Sequence, residues 1–290
     1  MIVNRTLLKA STRHLLKALV LVLVLAGLEA APAFAQDDQE YKREFNAGLE
    51  AYKAKNAAQA YDHWVKAADL AKKAGDTEIA EKAMTYVTQL DYANGLDAFK
   101  KDQAEEAIKH FDKGIQHYPN FAKNYYGKGL ALKNLDRFDE AIASYKKAME
   151  VAEKASDRKT KDAAEQAIRD LFVYRASRAL ASGGENVSRA AATEALGYLN
   201  QMKEHVSLDP DAYYYMAEAH KALGEYEQAV AAADQGLALH KGSKTDKAKF
   251  YFVKGEALML NGDNALAKAA FEEARYGSFK APAEHYITTL

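Results

Sequence analysis

Residues 122–155 have the sequence AKNYYGKGLALKNLDRFDEAIASYKKAMEVAEKA, and this stretch contains the pattern that decides the fold. Gly129 is followed after twelve residues by Ala141, after four more by Tyr145 and after three more by Ala148. Residues four and seven positions apart lie on one face of a helix, so the last three predict a helix with a small, aromatic and small face. Because glycine has no side chain, Gly129 predicts an earlier helix that approaches this face closely.

The same spacing occurs in three other parts of the chain. The copies are Gly48, Ala60, Trp64 and Ala67; Gly95, Ala107, Phe111 and Gly114; and Gly255, Ala267, Phe271 and Ala274. Such regularity predicts stacked copies of one helical hairpin, since each copy leaves an apolar face that only its neighbour can cover. Turn-forming residues between the predicted helices, such as Asn261, Gly262 and Asp263, support the hairpin.

These residues resemble the tetratricopeptide repeat, whose pattern places an aromatic residue, Leu-Gly, Tyr, Ala, Phe, Ala and Pro over about 34 residues. The stretch quoted above matches it with Tyr125, Gly129, Phe138, Ala141, Tyr145 and Ala148. The resemblance implies an all-α fold, a right-handed superhelical solenoid of stacked antiparallel helix pairs. The solenoid is expected over residues 41–281, with repeats at 41–74, 88–121, 122–155, 172–209 (degenerate), 210–243 and 248–281.

Three segments depart from the repeat pattern. The junctions Gly75 to Val87 and Ser156 to Leu171 are too long, but both are amphipathic and are predicted as N-terminal extensions of the helices that follow. The repeat at 172–209 fits only if four residues are inserted in its turn, at 182–186. Residues 282–290 are predicted as a C-terminal tail, or as a cap that packs on the last hairpin.

The N-terminus has the features of a secretory signal peptide. Four basic residues, at positions 5, 9, 13 and 17, precede an apolar run from Ala18 to Leu28 and the small-residue site Ala33-Phe34-Ala35. Cleavage after Ala35 would leave residues 36–40 as a short leader. The eleven apolar residues are fewer than the roughly 20 needed to span a bilayer. The sequence therefore predicts export to the periplasm or exterior of a bacterium.

Composition removes several functional classes. The chain has no cysteine, which excludes disulfides, thiol catalysis and cysteine-based metal sites. Loss of residues 1–35 removes four basic residues and one acidic residue, so 40 against 41 becomes 36 against 40, a net charge of −4. This balance argues against nucleic acid as a partner. The chain also lacks a P-loop, a G-x-S-x-G elbow and an H-E-x-x-H pair, so we expect no enzyme and no cofactor.

Histidines on the predicted second helices are candidate metal ligands. His63 and His110 occupy the same position in successive repeats, and His117 lies two turns beyond His110. Neither His63 nor His110 is followed three or four residues later by a carboxylate or another histidine. We therefore interpret these histidines as part of a solvated outer face and predict no metal site.

The resemblance implies that the first helices of the hairpins line a groove that holds peptide or protein ligands. A stripe of aromatic residues with interleaved lysines is predicted there as the partner-binding site: Phe45, Tyr52, Tyr92, Phe99, Tyr126, Tyr214 and Phe252, with Lys100, Lys123 and Lys133. The alternative is that these rings pack between adjacent hairpins. The chaperone carboxylate clamp known in this family is not expected, since Leu49, Leu96 and Leu130 occupy the corresponding positions.

The sequence thus predicts a non-catalytic scaffold that mediates protein–protein or protein–peptide interaction in the cell envelope. Two alternatives remain open at this stage. One is a self-assembling structural component, because a solenoid has open ends. The other is a small-ligand binder or an accessory subunit of an enzyme.

Overall fold

The computed structural model describes residues 40–182 and 187–290. This part of the chain forms thirteen α-helices and one 3-10 turn and contains no strand, and 83% of the described residues are helical. The helices are α1 Glu40–Lys53, α2 Ala57–Ala74, α3 Thr77–Lys100, α4 Ala104–His117, α5 Ala122–Asn134, α6 Phe138–Lys154, α7 Arg158–Ala181, α8 Arg189–Met202, α9 Pro210–Leu223, α10 Tyr226–Leu239, α11 Lys244–Leu260, α12 Asn264–Glu273 and α13 Lys280–Thr289.

Helices α1 to α12 form six consecutive hairpins, each packed on the next, and α13 covers the last one. The predicted fold class, an all-α solenoid of stacked helix pairs, is confirmed. The two long junctions are continuous with α3 and α7, each of 24 residues, as the amphipathic pattern predicts. The predicted signal peptide and residues 36–39 lie outside the described residues, as do residues 183–186 of the predicted insertion.

The turn inside the hairpins has a repeated backbone geometry. One residue with positive φ lies at the same repeat position in five hairpins, namely Lys55, Asp102, Asp136, Gly224 and Gly262, with φ between 57° and 89°. This left-handed conformation ends the first helix and lets the chain reverse within a few residues. Glycine adopts it without steric cost, so Gly224 and Gly262 are the turn residues that the sequence reveals most clearly.

Aspartate side chains cap the N-termini of three helices. The Asp76, Asp157 and Asp209 side chains each accept a hydrogen bond from a backbone N–H of the first turn that follows. Pro210 is the first residue of α9, where its missing N–H has no partner to lose. Asp209 and Pro210 together form the capped, proline-led start that is typical of a helix N-terminus.

The glycine-to-aromatic spacing corresponds to direct contact between the two helices of a hairpin. A Cβ atom on Gly129 would lie 2.5 Å from Tyr145 Cε1, and one on Gly255 would lie 2.7 Å from Phe271 Cε1. The Phe111 ring is enclosed from both sides, because Cβ atoms on Gly95 and Gly127 would each lie 2.5 Å from its Cε1 atom. Gly127 belongs to the next hairpin, so this ring also joins neighbouring repeats.

A polar contact fixes the stacking of the second and third hairpins. The Asn124 side chain on α5 is fully buried and donates to the Thr88 hydroxyl on α3 at 2.7 Å. Thr88 in turn donates to the Gly114 carbonyl on α4 at 2.8 Å. A chain of hydrogen bonds through three helices permits only one register between these hairpins.

The C-terminal helix α13 packs on the last hairpin. Tyr286 stacks on Phe271 with ring centroids 4.6 Å apart, and Ala283 is fully buried. Pro282 lies in the first turn of α13, where a proline is tolerated. Of the roles that the sequence left open for residues 282–290, a cap is the one that the packing supports.

Candidate functional site

The first helices of the hairpins, α1, α3, α5, α7, α9 and α11, line one continuous surface. Each of them contacts the first helix of the next hairpin directly, whereas no comparably extensive contact joins successive second helices among the described residues. The first helices are therefore closer together and form the inner side of the stack. We call this surface the groove, and its part on α1, α3 and α5 the N-terminal groove.

Two rings of the predicted aromatic stripe are core residues. Phe45 and Tyr92 are only 6% and 8% exposed. The Phe45 ring packs on the Tyr86 ring, with centroids 5.9 Å apart. The Tyr92 ring packs on the rings of Phe111 and Phe121, with centroid distances of 5.9 Å and 5.8 Å. Burial also raises the pKa of the Tyr92 hydroxyl. For these two residues the packing alternative describes the structure better than a ligand surface does.

Three further rings of the stripe combine packing with exposure. Tyr126, Tyr214 and Phe252 are half-buried. Measured between ring centroids, Tyr126 lies 5.9 Å from Tyr145, Tyr214 lies 5.8 Å from Phe250, and Phe252 lies 5.2 Å from Phe279. Each ring packs on a neighbouring ring and remains partly exposed, so these residues can contribute to binding but also hold the repeats together.

Four more half-buried apolar side chains of the N-terminal groove lie further along the first helices. Tyr52 and Phe99 were predicted as site residues, and both are half-buried. Leu49 and Leu130 are half-buried as well. In the sequence, these leucines only argue against the carboxylate clamp. Their shared position in the repeat is the signal that could have identified them as residues lining the groove.

Three lysines predicted for the N-terminal groove have no acidic partner among the described residues. Lys100 is exposed, and Lys123 and Lys133 are half-buried. No carboxylate of the described residues lies within 4 Å of any of these three ammonium groups. Lys123 instead lies 5.7 Å from the centroid of the Phe121 ring. The three positive charges are thus free to meet a ligand.

The groove on α9 and α11 has a different electrostatic character. Lys221 lies 3.0 Å from Glu218 and 2.6 Å from Glu256, and Lys249 lies 2.5 Å from Asp211. Burial raises the pKa of the Glu218 carboxyl, which the Lys221 ammonium partly offsets. Lys221 and Lys249 are therefore neutralised within the protein.

The histidines of the second helices are not simply solvated. His63 Nδ1 lies 2.6 Å from Glu44 Oε2, and His117 Nδ1 lies 2.8 Å from Asp91 Oδ2, with both histidine side chains about a quarter exposed. The carboxylates belong to the first helices, so spacing along the second helix could not reveal them. Within residues 40–182 and 187–290, no three histidine or acidic side chains form a group that could hold a metal ion.

The buried carboxyl of Asp91 should make the stability of the fold depend on pH. Its carboxyl is 3% exposed, and burial raises its pKa above the ordinary value of 3.8, while His117 acts in the opposite direction. Lys113 and His110 face the same carboxyl and also favour its charged form, whereas Asp91 in turn raises the pKa of Tyr61. A raised pKa means that the folded state binds the proton more tightly, so this group's contribution to stability falls as pH rises from 3.8 through the folded pKa.

We expect Asp91→Asn to remove this loss. In urea unfolding between about pH 4 and pH 7, the variant should lose less stability with rising pH than the wild type. Asp69→Asn, which changes an exposed carboxylate without a partner among the described residues, should keep the wild-type slope. If the free energy of unfolding changed with pH equally in the wild type and in Asp91→Asn, burial of the Asp91 carboxyl would not explain the pH dependence.

Two shallow clefts border α2 outside the groove. One, of about 420 Å³, runs along a single face of the helix from Tyr61 to Lys73. The other, of about 330 Å³, lies between α2 and the helices α3 and α4, beside Asp91 and His110. Both clefts are open to solvent.

The tetratricopeptide repeat family model matches residues 122–154 and 248–274. These segments are the third and sixth hairpins, which are therefore supported as tetratricopeptide repeats. No curated protein is significantly similar to the chain in sequence. In the described part of the chain, no helix combines the length and apolar character needed to cross a bilayer.

Several solved structures are similar in fold. A tetratricopeptide repeat protein from Parabacteroides merdae shares 14% identity over 86% of this chain and 98% of its own, with a TM-score of 0.31. A thermophilic protein of the same class from Thermus thermophilus shares 14% identity over 69% of this chain and 99% of its own, with a TM-score of 0.32. The domain of yeast Sti1 in complex with pHSP90 shares 18% identity over 87% of this chain and 95% of its own, with a TM-score of 0.31. At these scores the fold rests on the helix pairs described above, and the ligands of these proteins are not transferred.

Proposed function

We propose that this protein is a non-catalytic scaffold that binds a segment of a partner protein in its N-terminal groove. The observation that carries the proposal is a surface on α1, α3 and α5 where half-buried apolar side chains lie beside lysines without acidic partners. The apolar side chains are Leu49, Tyr52, Phe99 and Leu130. Such a mixture of apolar anchors and polar rim is typical of protein interfaces.

An extended segment suits this surface better than a compact ligand. The groove runs across successive first helices, and neighbouring packed helices are about 8–10 Å apart. An extended chain rises about 3.3 Å per residue, so about three residues take it from one first helix to the next. A segment of roughly six to nine residues would therefore cross the N-terminal groove.

Selection from a displayed random peptide library tests the proposal. Residues 36–290 should retain peptides of about 12 residues, long enough to cross the N-terminal groove. The variant Phe99→Ala/Leu130→Ala should bind them about tenfold or more weakly, because burying each of these side chains contributes about 1–2 kcal/mol. The measurement is fluorescence polarisation with the individual retained peptides.

A matched variant separates binding from folding. Val65→Ala/Leu70→Ala also shortens two half-buried apolar side chains, but on the second helix α2. It should bind the peptides as the wild type does, and all three proteins should give the same helical circular dichroism. Failure to retain any peptide, or equal weakening by both variants, would overturn groove binding.

We also propose that the protein acts after export, in the periplasm or exterior of a bacterium. The support is the basic, apolar and small-residue order of residues 1–35. The intact mass of protein isolated from an envelope fraction should correspond to a chain that begins at Gln36. A mass that includes residues 1–35 would contradict cleavage after Ala35.

A further inference from the structure

Lysines without an acidic partner among the described residues occur on each of the three first helices of the N-terminal groove. In addition to Lys100, Lys123 and Lys133, two more lysines on α1 and α3 have no carboxylate of the described residues within 4 Å: Lys42 and Lys82. Lys82 lies 5.7 Å from the centroid of the Phe45 ring, and Lys42 lies 5.8 Å from that of Tyr41. Five ammonium groups on three neighbouring first helices thus point to a basic surface.

This basic surface lies on a chain that is otherwise acidic. Without residues 1–35, the charged residues sum to −4, from 36 basic against 40 acidic side chains. On α9 and α11, by contrast, Lys221 is paired with Glu218 and Glu256, and Lys249 with Asp211. An acidic ligand would therefore gain more from the unpaired lysines of the N-terminal groove than from Lys221 and Lys249, whose charges are already compensated.

We propose that the partner segment is acidic and extended, with carboxylates about three residues apart and apolar residues between them. This inference rests on the proposed groove binding. The spacing follows from the separation of the first helices, since about three extended residues lead from one helix to the next. Lys100 on α3 and Lys133 on α5 meet successive carboxylates, while Phe99 and Leu130 contact the apolar residues between them.

The recognised charges lie within the segment and not at its terminus. The five lysines are distributed over α1, α3 and α5, which are joined by direct contacts between successive first helices. One terminal carboxylate could meet only the lysines of one place in the groove. A row of side-chain carboxylates can neutralise several lysines along the row, at about 0.2–1 kcal/mol for each exposed pair.

The library selection described above also tests this inference, through the composition of the retained peptides. At about 50 mM salt, where screening is weak, peptides retained by residues 36–290 should be enriched in aspartate and glutamate relative to the input. The variant Lys100→Glu/Lys133→Glu should bind these acidic peptides about tenfold more weakly, because two attractions become two repulsions. The same variant should itself select peptides richer in lysine and arginine.

The control reverses two charges outside the groove. Lys146→Glu/Lys268→Glu changes two exposed lysines on the second helices α6 and α12 and has the same net charge as the groove variant. It should bind the acidic peptides within about twofold of the wild type, since the long-range effect of net charge is screened.

Each other outcome is decisive for one of the two proposals. Retained peptides with the composition of the input, still lost in Phe99→Ala/Leu130→Ala, would overturn the acidic partner and leave groove binding intact. Equal weakening by the groove and control reversals would also overturn it, because net charge alone would then explain the effect. Retention of no peptide would remove the proposed function and this inference together.

Discussion

Replacing Phe111 with alanine is expected to lower the free energy of unfolding by about 3–5 kcal/mol. The ring is fully buried and lies between Gly95 on α3 and Gly127 on α5, so one side chain holds two successive hairpins together. The cavity cannot close easily, since the buried hydrogen bond between Asn124 and Thr88 fixes the same helices relative to each other. Urea unfolding followed by circular dichroism measures the change.

The matched control is Leu266→Ala, which shortens a side chain that is 60% exposed. It should change the free energy of unfolding by no more than about 0.5 kcal/mol. A loss below about 1 kcal/mol for Phe111→Ala would mean that the ring does not fill the space between the hairpins, and the stacking described here would be wrong at that point.

Removing α13 by truncation before Lys280 is expected to cost about 2–4 kcal/mol, because the last hairpin then loses its cover. The truncation uncovers Phe271, which is fully buried and stacks on Tyr286, and removes the buried Ala283. We expect the apolar end so exposed to cause self-association, visible in size-exclusion chromatography as a concentration-dependent increase in apparent mass.

Glu284→Ala, an exposed substitution on the same helix, is the control and should change neither stability nor apparent mass. Unchanged stability and mass after truncation would count against α13 as a cap. It would also remove the physical reason for expecting association through this end of the solenoid.

The repeat architecture could be predicted from sequence because it depends on local spacing. Gly129 and Tyr145 are sixteen residues apart in one hairpin, and their contact requires only two helices and a short turn. The same holds for the left-handed turn residues Gly224 and Gly262, whose lack of a side chain marks them in the sequence. The long helices α3 and α7 could be predicted for a similar reason, since their extensions are amphipathic.

The surface of the groove could be predicted less well, because burial depends on the neighbouring hairpin. Tyr92 and Tyr126 occupy the same repeat position, yet Tyr92 is 8% exposed while Tyr126 is half-buried. Phe121 packs on the Tyr92 ring from the junction with the next hairpin, a contact that no spacing rule contains. Likewise, Lys221 and Glu256 lie 35 residues apart, so their ion pair appears only in three dimensions.

The central claim is that an acidic segment lies along the N-terminal groove, and photo-crosslinking tests it most directly. A retained acidic peptide with a benzophenone in place of one apolar residue would be irradiated with residues 36–290, and the attachment sites mapped by mass spectrometry. The account predicts crosslinks on α1, α3 and α5, whose yield falls in Lys100→Glu/Lys133→Glu at a peptide concentration below the dissociation constant of that variant. Crosslinks on the second helices α2, α4 and α6, or on α9 and α11, would contradict it.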